Sequence, residues 1–254
     1  MWNKILFIIW FILRPKYYQH LVSVIIRKFY INYDTNINKK KAHKWADANS
    51  VPYLDALEKL GLNRDKVGLD NDSIIEGQKL QLKSSVKMGG ASHVHLIYDC
   101  VRLTKAEKVI ETGVAYGWSS LAILKALNVN KNAMLYSVDM PYPRKKNEND
   151  VGIVVPQYLR KNWILIRKPD KPGIVKALNK AGGQIDLCHY DSDKSWWGRN
   201  YAYPILWKSL KSKGLFITDD IQDNLYFSEF VKNKSSTYTV VKYDKKYIGL
   251  ILKP

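Results

Sequence analysis

The sequence predicts an α/β fold: a doubly wound, mostly parallel sheet that ends in an antiparallel hairpin, preceded by a helical N-terminal extension. Three observations predict it. After residue 105, apolar runs of strand length alternate with helical patterns. Small residues cluster at the first strand-to-helix turn, in VIETGVAYGWSSLAIL. Near the C-terminus, two β-rich runs are joined by Asp244-Lys245-Lys246.

The strands are EKVIET, AMLYSVD, NWILIRK, QIDLCHYD and GLFITDD. Each is a short, continuous apolar run, as a strand covered on both faces requires. Between them lie GWSSLAILKAL, VPQYLRKN, GIVKALNKA and WWGRNYAYPILWKSLKS, which read as helices. STYTVVKYDKKYIGLIL then reads as a hairpin and puts a reversed strand near one edge of the sheet. Upstream, WADANSVPYLDALEKLGL suggests a short helix after a turn at Ser50-Val51-Pro52, ended by Gly61. Ser92 is the expected N-cap of the helix that follows Gly89-Gly90.

The chain divides into an apolar and basic extension (1–33), a polar helical lead-in (34–87) and the sheet domain (88–254). A length of 254 residues with 46% hydrophobic content suits one such domain and excludes global disorder. The two cysteines, Cys100 and Cys188, lie in apolar segments and offer neither a disulfide framework nor zinc-ligand spacing, which favours a reducing compartment, the cytoplasm. The net charge of +18 admits an anionic substrate, nucleic acid or anionic membrane. Its clusters at Lys39-Lys40-Lys41, Arg144-Lys145-Lys146 and Lys245-Lys246 accompany no nucleic-acid-binding motif, so nucleic acid is disfavoured.

The run Ile5 to Leu13 stops at Arg14-Pro15, short of the roughly 20 residues that a spanning helix needs. No small-x-small cleavage site follows it. With Leu21 to Ile26, Trp2, Trp10, Tyr17, Tyr18 and interspersed cations, residues 1–30 read as an in-plane anchor at the inner face of an anionic membrane. The competing reading is a helical extension docked on the domain or on a second subunit of a homodimer.

In open α/β sheets, ligands bind outside the carboxyl ends of the strands, at the switch point. Here those ends carry Glu111-Thr112-Gly113, Asp139, Asp191 and Asp219-Asp220. One such acid is commonly a helix cap. A whole row of them points to a ligand. Gly113, Ala115 and Gly117 let the backbone turn sharply and approach it closely. Asp139, at the next strand end, suits ribose hydroxyls. Alone, these features admit either a dinucleotide or S-adenosylmethionine.

The segments VIETGVAYGWSSLAIL, YSVDMP, VGIVVPQYLRKNWILI, IDLCHYDSDKSW and GLFITDDIQDNLYFSEF resemble, in order, the class I S-adenosylmethionine-dependent methyltransferases, in the branch of catechol- and macrocin-type O-methyltransferases. The resemblance covers about residues 88 to 253. It implies a seven-stranded Rossmann-like sheet. It also implies that Glu111, Thr112, Gly113, Val114, Ala115, Gly117 and Ser119 surround the methionine part of the cofactor, that Asp139 and Met140 flank the ribose, and that Asp191 borders the cofactor. The D-x-x-K spacing of Asp191 and Lys194, followed by Asp219-Asp220, resembles the metal-dependent members. It implies Asp191, Asp219 and Asp220 as ligands of Mg²⁺ or another divalent cation, and Lys194 as a base with a lowered pKa. Ala115 stands where many members have glycine, Asp220 where the catechol enzymes often have asparagine, and Lys194 where macrocin-type relatives often have histidine.

His189 is the alternative base, or else a core histidine. Trp196, Trp197, Tyr201 and Tyr203 either line an acceptor pocket or pack on the sheet. Tyr116 and Trp118 flank the cofactor turn, and PYPRKKNEND after Asp139 is a lid or a plain loop. The expected activity is metal-assisted O-methylation of a hydroxyl on a small molecule, sugar or lipid-linked glycan. The alternatives are an NAD-dependent oxidoreductase, and a non-catalytic membrane-associated binding protein with this fold.

Overall fold

The computed structural model describes residues 7, 9–63, 67–130, 132–143, 147–234 and 236–254. Trp2, part of the Ile5 to Leu13 run and the Arg144-Lys145-Lys146 cluster lie outside them.

The sheet has eight strands: β1 (Ser50–Val51), β2 (Lys108–Thr112), β3 (Met134–Val138), β4 (Trp163–Ile166), β5 (Ile185–Tyr190), β6 (Leu210–Thr218), β7 (Thr237–Tyr243) and β8 (Lys246–Leu252). Their order is β1-β7-β8-β6-β5-β2-β3-β4, and β8 alone runs against its neighbours β6 and β7. The expected doubly wound sheet and C-terminal hairpin are both present. The strand beyond the expected seven is β1, which pairs with β7 in parallel where a simple turn was expected. Two residues carry too little pattern to reveal a strand, and only β7 supplies the partner.

The helices are α1 (Tyr18–Arg27), α2 (Asn36–Asn49), α3 (Tyr53–Lys59), α4 (Asn71–Gln81), α5 (Val94–Leu103), α6 (Trp118–Leu127), α7 (Asp170–Ala181), α8 (Trp196–Ser209) and α9 (Tyr226–Lys232). The helical pattern in VPQYLRKN is a short 3₁₀ segment, Gln157–Asn162. Residues 210–212, expected in the helix, start β6 instead, because Leu210 pairs with Ile185. α5 is capped by His93, whose Nδ1 accepts from Leu96 N at 3.2 Å, one residue past the expected Ser92.

Strand alternation sends successive side chains to opposite faces. Val109, Leu187 and Leu215 join Leu96, Leu121 and Ile123 in the core on one face. Ile110, Cys188 and Phe216 join Ile174, Tyr203 and Phe230 on the other. Both cysteines are free and fully buried, and serve as packing residues.

The N-terminal extension is tied to this domain. Tyr30 and Tyr33 stack on Trp196, Tyr30 also stacks on Trp197, and Asp34 Oδ1 accepts from Trp196 N and Asn224 Nδ2, both at 2.9 Å. The lead-in joins at the hairpin, where Asp47 Oδ1 accepts from Tyr247 Oη at 2.5 Å and Lys242 Nζ at 2.8 Å. Among the described residues no helix is long and apolar enough to cross a membrane.

Candidate active site

The chain leaves β2 toward β3 and β4 on one side, then returns to β5 on the other. That reversal opens a crevice at the carboxyl ends of β2 and β5. A cavity of about 530 Å³ fills it. The acids that end the strands are positioned by the sheet itself. Asp139 N donates to Ile166 O, Asp191 N to Thr112 O and Asp219 N to Tyr190 O, at 2.9 to 3.1 Å. Each acid therefore sits one residue beyond its strand, on a common edge.

The first turn is tight for a steric reason. Gly113 has φ +82°, and a Cβ there would lie 2.3 Å from Asp191 O. Gly117, also left-handed, packs on Gly152, whose Cα would be 2.8 Å from a Cβ. Between them Ala115 adopts φ 49° despite its methyl group.

Several residues expected at the cofactor do line the cavity: Gly113, Val114, Ala115, Ser119, Asp139, Met140 and Asp191. Asp139 Oδ1 accepts from Val114 N at 3.2 Å, and its other oxygen pairs with Arg167. Burial raises its pKa, and Arg167 opposes that shift.

Glu111, Thr112 and Gly117 are not among the lining residues. Glu111 is fully buried behind the turn, where Ser119, Ser120 and Ser137 each donate to it at 2.6 Å. Its carboxylate is thus occupied by the fold and does not reach the cavity. Thr112 is buried against Ser192 Oγ at 2.9 Å.

The three carboxylates expected around a metal do not form a ligand set. Asp219 faces inward, with Oδ1 3.4 Å from His189 Nε2. Asp220 is paired with Lys194 and lies 3.6 Å from Lys246 Nζ. Neither lines the cavity. Among the described residues no group of three His, Cys, Asp or Glu side chains is disposed to hold a metal ion. Lys194, with Nζ 3.1 Å from Asp191 Oδ1, bridges the two carboxylates instead.

This arrangement also reverses the expected pKa of Lys194. Burial lowers it, but the charges of Asp191 and Asp220 outweigh burial and raise it well above the ordinary value. In this arrangement Lys194 is held as a cation between the two carboxylates. Burial, then the charge of Asp219, pushes Asp191 up to about 6. His189 is fully buried and outside the cavity lining, so it is a core histidine. Burial opposes its protonation, yet Asp219 and Glu111 raise its pKa to about 9.

Of the aromatics, Trp197 and Tyr201 line the cavity, whereas Tyr203 is buried and hydrogen-bonds Thr218 at 2.6 Å. Trp196 packs under Tyr33. Tyr116 and Trp118 line the cavity and also clamp the lead-in, through Tyr116 Oη to Val86 O at 3.0 Å and Trp118 Nε1 to Gln81 Oε1 at 2.6 Å. Asp193 is not the cap of α8, which is Ser195. Asp193 Oδ1 accepts from Ser195 N at 3.1 Å and lies 3.3 Å from Arg27 Nη1.

Three groups of lining residues escaped the sequence reading. Gly89, Gly90 and Ser92 form one wall, and the buried Ser92 hydroxyl has no hydrogen-bond partner. Asp170 forms another, raised to about 6 by burial. His20, Ser23 and Arg27 of α1 form the third. His20 stacks on the buried Phe11, and burial lowers its pKa, Asp193 opposing. Their spacing of three and four residues was the available signal, and the apolar character of the segment masked it.

A doubly wound sheet whose one reversed strand, β8, lies between β6 and β7, with a switch-point cavity edged by Asp139 and Asp191, has the architecture of the class I methyltransferase type of α/β domain. Residues 110–221 match the model of a family described as a methyltransferase domain. The fold is similar to that of an O-methyltransferase from Bacillus cereus in complex with SAH, at 14% identity and a TM-score of 0.57 over 73% of this chain and 92% of that one. It is similar to that of TomG, an O-methyltransferase from Streptomyces achromogenes involved in tomaymycin synthesis, in complex with SAM, at 14% identity and a TM-score of 0.57 over 74% and 92%. It is also similar to that of the SAH-bound methyltransferase PaMTH1 from Podospora anserina, at 14% identity and a TM-score of 0.53 over 75% and 92%. No curated protein matches the sequence significantly.

Proposed function

We propose that the protein transfers a methyl group from S-adenosylmethionine to a hydroxyl oxygen of a small molecule, a sugar or a lipid-linked glycan. The observation that carries this reading is the cavity at the ends of β2, β3 and β5, where the turn Gly113 to Ala115 faces Asp139 and Asp191. The donor set suits the cofactor. Asp139 is an acceptor for ribose hydroxyls, the turn leaves room for the amino-acid part, and the unpartnered Ser92 hydroxyl offers one further polar contact. The bound cofactor supplies an electrophilic methyl on a sulfonium. The chain aligns the acceptor oxygen with that methyl and manages its proton.

The residues on the acceptor side divide the work. Lys194, held as a cation, stabilises negative charge that develops on the acceptor oxygen. His20 enters the same cavity from α1 with its pKa lowered by burial, so it stands as a neutral imidazole able to take the acceptor's proton. Trp197 and Tyr201 give the acceptor an apolar wall. Asp219 and Asp220 are engaged by His189 and Lys194, so the charge on the acceptor oxygen falls to Lys194 and its proton to His20.

Calorimetric titration with S-adenosylhomocysteine tests the reading. The expected result is binding on the order of micromolar, weakened by roughly tenfold or more in Asp139→Ala. A folded protein that ignores S-adenosylhomocysteine and binds NADH instead would overturn it in favour of the oxidoreductase.

A further inference from the structure

The helix α1 (Tyr18–Arg27) has two faces with different destinations. A residue in an α-helix is rotated by about 100° from the one before it. His20, Ser23, Val24 and Arg27 therefore share one side, and all four line the active-site cavity. Tyr18, Val22 and Ile25 share the opposite side, about half a turn away, and Phe29 extends the row past the helix end. That outer row is bare. Val22 is 52% exposed, Ile25 50% and Phe29 80%, and Leu13, at 70%, adds to it from the preceding turn.

An apolar stripe of this kind is normally covered. The charge around it selects the cover. The first 33 residues contain five cations (Lys4, Arg14, Lys16, Arg27 and Lys28) and no acid at all, in a chain of net charge +18. Lys16 and Lys28 are exposed beside the stripe. A second copy docked on this face would bring like charges together. An anionic lipid surface would neutralise them while taking up the apolar side chains.

We propose that the outer face of α1 docks the protein on an anionic membrane surface, with the inner face of the same helix forming a wall of the active site. The active-site cavity then lies directly behind the lipid-facing helix, and the acceptor is drawn from molecules carried at that surface. The docking itself does not rest on the methyl-transfer reading. The acceptor statement does.

The test is sedimentation of the full-length protein with phosphatidylcholine vesicles, with and without phosphatidylglycerol. The expected result is pelleting with the anionic vesicles, weakened by added salt. The triple substitution Val22→Glu, Ile25→Glu and Phe29→Glu should reduce partition on the order of tenfold or more. Its S-adenosylhomocysteine affinity should be unchanged, which shows that it is folded and keeps failure of docking distinct from failure of the cofactor reading. Lys16→Glu with Lys28→Glu, which leaves the apolar stripe intact, should lose the anionic preference. Full-length protein that stays in the supernatant would overturn the proposal. So would equal pelleting of the triple variant, or a stable dimer in light scattering that the triple variant dissociates.

Discussion

Arg27 Nη1 lies 3.3 Å from Asp193 Oδ1, which joins the N-terminal helix to the loop that carries Asp191 and Lys194. The two residues are 166 positions apart in sequence. Both side chains are partly exposed, so the pair is worth only about 0.5 kcal/mol. Arg27→Ala should therefore leave the thermal midpoint nearly unchanged while it loosens α1. Limited proteolysis checks this: cleavage within residues 14–33 should speed up, with the sheet domain still resistant.

Glu111 accepts three serine hydroxyls in a fully buried site. Glu111→Gln puts an amide donor where only acceptors are wanted, and at least one serine must lose its partner. The expected cost is about 2–3 kcal/mol, read from urea unfolding. Loss of cofactor affinity with full stability would instead return Glu111 to the cofactor site.

Beside it, His189 sets a pH dependence. Its pKa in the folded chain is about 9 against an ordinary 6.5, because Asp219 and Glu111 outweigh burial. A histidine whose pKa is raised on folding contributes fully below pH 6.5 and loses that contribution as pH climbs through 9. Stability should fall across this window by roughly 3 kcal/mol at most. Urea midpoints at pH 6, 7.5 and 9.5 would show the decline, and His189→Gln should flatten it.

Lys194 neutralises Asp220 and contacts Asp191. Lys194→Met leaves Asp191 without its cation and Asp220 with only the more distant Lys246, 3.6 Å away. With the lysine side chain 37% exposed, solvent offsets part of the loss, and the expected cost is about 1–2 kcal/mol. Under the proposed function, turnover should fall far more than S-adenosylhomocysteine affinity, because the cation faces the acceptor oxygen.

Ala115 holds a left-handed backbone, which costs an L-residue about 1–2 kcal/mol. Glycine removes that strain but adds about 0.5–1 kcal/mol of unfolded-state entropy. Ala115→Gly should therefore raise stability by up to about 1 kcal/mol. A destabilised variant would show that the packing of the Ala115 methyl group against the core matters more than the strain.

The sequence by itself determined the sheet and its binding edge. Val109-Ile110, Leu187-Cys188 and Leu215-Phe216 are apolar on both strand faces, which only a two-sided parallel sheet can bury. Strand ends are also local features, so the places of Gly113, Asp139 and Asp191 were legible from a few residues each. Tertiary structure alone decided what each acid does. Glu111 and Asp219 sit on strand ends like Asp139, yet neighbouring strands bring them Ser137 and His189, and they turn inward. Lys194 carries the spacing of a base, yet Asp220, which reaches it from the next strand, keeps it charged. The wall supplied by His20 comes from a segment 150 or more residues away in sequence from that loop, and its two-faced spacing has meaning only once α1 is seen against the cavity. Charge pairing and burial depend on which groups meet across the fold. Strand and turn propensity do not, and that difference separates what could be read along the chain from what required its folded form.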